Sequence, residues 1–248
     1  MPEDVWTPVG LRSGRTVRVH HSEAGTGGRP IVLVHGLGMS GRSMVPALQV
    51  LGRERRTLAP DLPGYGRTRG GGRPLGIPGL ADALVRWLDA AGLDEVDLVG
   101  HSMGAQVAAA AVLRAPGRAG HLVLVGPTRD PAARTWVGQA WRLLVDAPRE
   151  RPALIPVAVR DYLRAGPLTM VAVLRHALRR PEEQAMGGVD VPTLVLRGSR
   201  DPVAGQRWCE DLVRRLPQGR LQVVPGAPHG LVFSAPEAFA RAVLGFCR

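Results

Sequence analysis

The sequence predicts an α/β fold built on a mostly parallel, doubly wound sheet. Short β-branched and leucine runs recur along the chain, helical stretches separate them, and nearly every run ends in a loop dense in glycine or proline. Strands covered by helices on both faces read as unbroken apolar runs rather than alternating ones. In such sheets ligands bind beyond the carboxyl ends of the strands. With 248 residues, the chain suits one domain of this kind with room for an insertion.

The elements follow in order. Val5 to Val9 and Thr16 to His21 flank a glycine-containing turn and predict an opening hairpin. Ile31 to Val34 is an unbroken strand run that ends in His35-Gly36-Leu37-Gly38, and Thr57 to Asp61 is a strand closed by Leu62-Pro63-Gly64-Tyr65-Gly66. Ile77 to Ala91 carries Leu80, Leu84, Val85 and Leu88 at helical spacing and stops near Gly92. Strand Val96 to Val99, helix Met103 to Leu113 and strand Leu122 to Val125 come next. From Thr128 to Gly188 only helical stretches appear: Thr135 to Val145, Ala153 to Arg164 and Leu168 to Leu178, separated by prolines. Strand Pro192 to Arg197, helix Arg207 to Leu216, strand Leu221 to Val224 and helix Pro236 to Phe246 complete the chain. The expected organisation is a core of residues 1–127 and 189–248 and an all-helical lid, 128–188, inserted after the sixth strand.

Composition excludes several classes. Hydrophobic residues make up 45%, ordinary for a globular protein. The start lacks a basic and apolar leader, and the longest apolar run, Val107 to Leu113, is too short to span a bilayer. A cytoplasmic protein, without membrane partners, is expected. Cys209 and Cys247 are the only cysteines and lack metal-ligand spacing, so neither a disulfide framework nor a zinc site is expected. The net charge is +11. All the basic residues other than histidine are arginine, and asparagine is also absent, which reflects a GC-rich, bacterial-type genome. The arginines are scattered rather than interleaved with aromatics, so nucleic-acid binding is not expected.

Gly100-His101-Ser102-Met103-Gly104 joins a strand to a helix. A serine in such a turn sits at the tip of a strained bend with its hydroxyl exposed, while the glycines let neighbouring backbone pass. A serine hydroxyl needs a general base and an acid that orients that base. Asp201, in Arg197-Gly198-Ser199-Arg200-Asp201-Pro202, and His229, in Pro225-Gly226-Ala227-Pro228-His229-Gly230, each follow a strand. Asp130, just past Leu122 to Val125, competes with Asp201 for the acid's role. Asp61 reads as a turn cap, His35 as an organiser of its loop rather than a catalytic group, His101 as part of its turn, and His20, His21, His121 and His176 as surface or structural residues.

These motifs and their order, serine, acid, histidine, resemble the α/β-hydrolase superfamily across essentially the whole chain. The resemblance implies Ser102 as nucleophile, His229 as base and then acid, and Asp201 as the carboxylate that holds the imidazole. It implies an oxyanion hole from the backbone N–H groups of Leu37 and Met103. Serine rather than aspartate at position 102 points away from haloalkane dehalogenases and epoxide hydrolases and toward acyl chemistry. The function implied is a serine hydrolase of the carboxylic ester hydrolase type, working through an acyl-enzyme and needing no cofactor or metal. It would act on an ester, thioester, lactone or similar bond of a small to medium, largely apolar substrate. An acyltransferase, lyase or cyclase in the same pocket, and a ligand-binding module of the same fold, stay open. His35, Trp136, Trp141 and Tyr162, with Met170, are candidate pocket residues. The lid segment carries 10 arginines against 6 acidic residues, which raises a substrate or carrier bearing a negative group. Monomer and homodimer are both open.

Overall fold

The computed structural model describes residues 2–70, 72–128, 130, 135–179 and 186–248, with backbone alone at 136, 167–168 and 171–179. Eight strands form one sheet: β1 (Glu3–Gly10), β2 (Thr16–Ala24), β3 (Ile31–Val34), β4 (Thr57–Pro60), β5 (Val96–His101), β6 (Ala119–Val125), β7 (Thr193–Gly198) and β8 (Gly219–Val224). Their order is β1-β2-β4-β3-β5-β6-β7-β8. β2 pairs antiparallel with β1 and β4, and every other pair is parallel. All eight strands expected from the sequence are present.

The alternation of side chains builds two cores. Val32, Val34, Leu98, Leu122 and Leu124 turn to one face, where they meet Leu80, Leu84 and Trp87 of α2 (Ile77–Ala90) and Val107 of α3 (Met103–Arg114). Ile31, Leu33, Val99, Val123 and Val125 turn to the other, against Leu48 and Leu51 of α1 (Val45–Leu51) and the C-terminal helix residues Phe239 and Val243. Each such side chain, fully buried, contributes about 1.5–3 kcal/mol, so β3, β5 and β6 are held from both sides. That rigidity matters because their carboxyl ends carry the site.

The remaining helices are α4 (Trp136–Asp146), α5 (Leu154–Arg179), α6 (Gln206–Val213), α7 (Leu231–Ser234) and α8 (Pro236–Phe246). The second and third helices predicted in the 128–188 segment lie end to end within α5, separated by a kink at Gly166 (φ 73°, ψ 155°), where glycine tolerates the positive φ. α1 and the short α7 were not anticipated. α1 opens with a proline in its first turn and buries Ala47, Leu48 and Leu51. Among the described residues no helix is long and apolar enough to cross a membrane.

Candidate active site

β5 delivers Ser102 on a backbone no ordinary residue prefers. With φ 57° and ψ −120°, it is the only non-glycine residue at positive φ among the described residues. Strain of this kind costs about 1–3 kcal/mol and persists only where the surroundings enforce it. Here the Ser102 amide donates to Val125 O at 2.8 Å. A Cβ on Gly100 would lie 2.2 Å from Gly104 O, and one on Gly104 would lie 2.2 Å from Val34 O. Both glycines are required by contact: α3 rests directly on the ends of β5 and β3.

β7 and β8 bring the partners. His229 Nε2 lies 3.1 Å from Ser102 Oγ, and its Nδ1 lies 2.9 Å from Asp201 Oδ2. Asp201 Oδ1 accepts from the amides of Val203 (2.7 Å) and Ala204 (3.0 Å), which fixes the carboxylate and leaves Oδ2 for the ring. Burial works against charge on both groups. Their pairing nevertheless holds Asp201 below and His229 above their ordinary values, through mutual attraction and the shared hydrogen bond. Gly126, at the end of β6, leaves room for this pair: a Cβ there would sit 2.9 Å from His229 Nδ1. Asp130 is elsewhere, its carboxylate accepting from Arg142 at 2.6 Å.

Leu37 and Met103 both line the cavity beside Ser102. Met103 opens α3, so its N–H is one of those without an intrahelical partner. His35, expected in the pocket, lies instead in the interior and is absent from the cavity wall. Its Nε2 accepts from Leu62 N–H at 3.1 Å, so its Nδ1–H donates to Gly36 O at 2.9 Å, and burial holds the ring neutral. It fastens the loop after β3. His101 also stays neutral: burial, then His229, pushes it down to about 3 while its Nε2 meets His229 O at 3.0 Å.

The cavity over Ser102 measures about 470 Å³. Its apolar wall includes Leu143 and Leu144 of α4 and Leu154, Ile155, Tyr162 and Met170 of α5. Tyr162 crosses the loop after β3 so closely that a Cβ on Gly38 would meet its ring at 2.1 Å. Trp141, expected in the pocket, is a correction: it is absent from the wall, to which α4 instead contributes Ala140, Leu143 and Leu144, although all four residues are exposed. The side chains of Trp136 and His176 lie outside the described residues. His20 and His21 are buried rather than at the surface, and His20 Nδ1 meets Asp61 at 2.9 Å. Asp61 accepts from the amides of Gly41 and Arg67 as well, in keeping with a turn cap.

A feature invisible to motif reading sits beneath His229. Asp146, at the end of α4, accepts from the His229 backbone N–H at 3.2 Å, and Glu150 accepts from the Gly230 N–H at 2.5 Å. A Cβ on Gly230 would lie 2.7 Å from Glu150 Oε1, so glycine is needed there. The two carboxyl groups are hydrogen-bonded to each other, and burial, then Glu150, raises Asp146 from 3.8 to about 7. A carboxyl raised on folding binds more protons folded than unfolded between those two values, so its contribution is lost as pH rises through that window. The thermal midpoint of the wild type is therefore expected to gain a downward slope between 3.8 and about 7 from this pair, and Asp146→Asn should flatten it. Parallel midpoint-against-pH curves for the two proteins would refute the shared proton.

Among the described residues one trio of potential metal ligands, Asp97, His121 and Cys247, gathers within 4.8 Å. Arg55 donates to Asp97 at 2.5 Å and Arg29 at 3.4 Å, so its charge is already answered. The trio also lies near the amino ends of β5 and β6, away from Ser102.

The sequence profile described as "Alpha/beta hydrolase family" matches residues 31–242. "Putative carbamate hydrolase RutD" of Caulobacter sp. (strain K31) is 29% identical, over 95% of this chain and 98% of that protein. The pimeloyl-(acyl-carrier protein) methyl ester esterase of Neisseria meningitidis serogroup B is 28% identical, over 68% of this chain and 73% of that protein. The malate-bound structure of a thermophilic esterase from Thermogutta terrifontis superposes with a TM-score of 0.82 at 25% identity, covering 98% of this chain and 97% of that one.

Proposed function

The chain belongs to the alpha/beta hydrolase family, and from that premise we propose that it is a serine hydrolase that cleaves an ester or a related acyl bond through an acyl-enzyme. The observation that carries this reading is the relay Ser102 Oγ to His229 Nε2 and His229 Nδ1 to Asp201, opening on a largely apolar cavity. Relatives named for carbamate and methyl ester hydrolysis support it.

His229 Nε2 takes the Ser102 proton as Oγ attacks the acyl carbon, and Asp201 stabilises the imidazolium that forms. The developing oxyanion is received by the N–H groups of Leu37 and Met103. Donors aimed this way are worth about 2.7–4 kcal/mol each. Collapse expels the alcohol or amine, which takes the proton back from His229. Water then attacks the acyl-enzyme with His229 again as base, freeing the acid and Ser102. Residues 128–188 act as a lid in this reading, since α4 and α5 supply much of the apolar wall. Specificity follows from wall and volume rather than from the relay.

The test is a p-nitrophenyl ester series from acetate to decanoate, with a fluorophosphonate probe read by intact mass and peptide mapping. The expected result is turnover with an optimum at short to medium chains and one adduct, on Ser102. An adduct on another residue, or no adduct and no turnover, would overturn the reading.

A further inference from the structure

We propose that five arginines beside the glycine-rich loop after β4, namely Arg42, Arg67, Arg69, Arg160 and Arg164, form a binding site for a phosphate-bearing ligand. A second cavity of about 480 Å³ opens there, lined by Arg67, Arg69, Arg164, Thr68 and the backbone of Gly64, Gly66 and Gly70. No carboxylate is in that lining. Arg160 and Arg164 are one turn apart on α5, so they share a face. Arg42 foremost, then Arg164, stands close enough to Arg160 to make its charge less favourable.

Several arginines elsewhere are matched by carboxylates: Arg12 with Asp82, Arg55 with Asp97, Arg56 with Glu23, and Arg142 with Asp130. In the cluster, only Arg67 has an ion pair among the described residues, with Asp4. Of the nearby acids, Asp4 serves Arg67 and Asp161 offsets part of the repulsion at Arg160; Asp161 and Asp61 also hold hydrogen bonds of their own. Asp161 accepts from Ser40 Oγ at 2.5 Å, and Asp61 accepts from His20 and the Gly41 and Arg67 amides. Like charges held together without partners repel at a cost that an anion removes. A phosphate, with about two negative charges and three acceptor oxygens, answers several guanidinium forks at once, where a single carboxylate answers one. Glycines in the wall let the ligand approach the backbone.

α5 separates this cavity from the apolar one: Ala158 and Tyr162 line the latter, Arg164 the former. The phosphate is either part of the acyl substrate or a separate ligand. Only that second question rests on the hydrolase reading.

Calorimetric titration with inorganic pyrophosphate tests the site without any turnover. Wild type is expected to bind, more tightly at low salt, with affinity falling about tenfold or more in Arg69→Gln/Arg164→Gln, as expected for lost charge-assisted bonds. Arg241→Gln, exposed on α8, removes the same charge elsewhere and should bind as wild type does. No binding to wild type, or an equal loss in Arg241→Gln, overturns the proposal. A second arm compares KM for acyl esters of a phosphorylated and a neutral alcohol. A lower KM for the phosphorylated ester that disappears in Arg69→Gln/Arg164→Gln assigns the phosphate to the substrate. Equal KM values, with pyrophosphate binding still dependent on the arginines, assign it to a separate ligand.

Discussion

Alanine at position 102 is expected to lower ester turnover by about 10⁶-fold, the scale seen when the nucleophile of a relay is removed. No neighbour is placed to substitute. His101 is neutral and committed to His229 O. Cys209 and Cys247 are buried, with thiols pushed up to about 12 by that burial, so they hold no thiolate at neutral pH. KM should change little, because the apolar wall and the backbone donors are untouched. The fold should persist as well: Ser102 makes its backbone bond to Val125 through its amide, and alanine retains both that amide and the Cβ. Steady-state kinetics with the ester series, circular dichroism and fluorophosphonate labelling check the three parts. Turnover above about one per cent of wild type in a folded, unlabelled variant would remove Ser102 from the chemistry.

The strands were legible because each is apolar throughout, as in Ile31–Val34, and such runs have few other homes than a sheet covered on both sides. The relay was legible because its members end strands: the sheet's geometry converts a position in sequence into a place at one edge. What escaped reading depends on which face of a helix turns inward. α4 leaves Trp141, Leu143 and Leu144 all exposed, yet of the three the two leucines line the cavity, and hydrophobicity alone does not choose between them. His35 was legible as the organiser of its loop, and it escaped only as a pocket residue, since its two nitrogens are spent on Leu62 and Gly36. Asp146 and Glu150 lie about 80 positions from the loop they hold, and no local pattern announces such a contact. Gly126 and Gly230 were the available signals, each a glycine forced by a functional side chain.

Asparagine at position 201 is expected to lower kcat by about 10⁴-fold while leaving the fold and KM close to wild type. The magnitude is carried over from serine proteases; the reason is specific to this site. Asp201 Oδ1 already accepts from the Val203 and Ala204 amides, so an asparagine keeps its oxygen there and turns its NH₂ toward His229 Nδ1. Nδ1 must then accept, the ring proton moves to Nε2, and Nε2 faces Ser102 Oγ as a donor instead of a base. The pH profile separates this from simple damage. Burial lowers His229, and Asp201 foremost raises it again. The neutral ring is the active base, so turnover falls as pH drops through the His229 pKa. Without the carboxylate that acid limb should shift to lower pH, beneath a plateau reduced by the tautomer. The same experiment decides between the two acids the sequence offered. If Asp130 served His229, Asp201→Asn would cost less than about tenfold and Asp130→Asn would carry the loss. Its carboxylate is instead held by Arg142, so Asp130→Asn should leave the acid limb where it is.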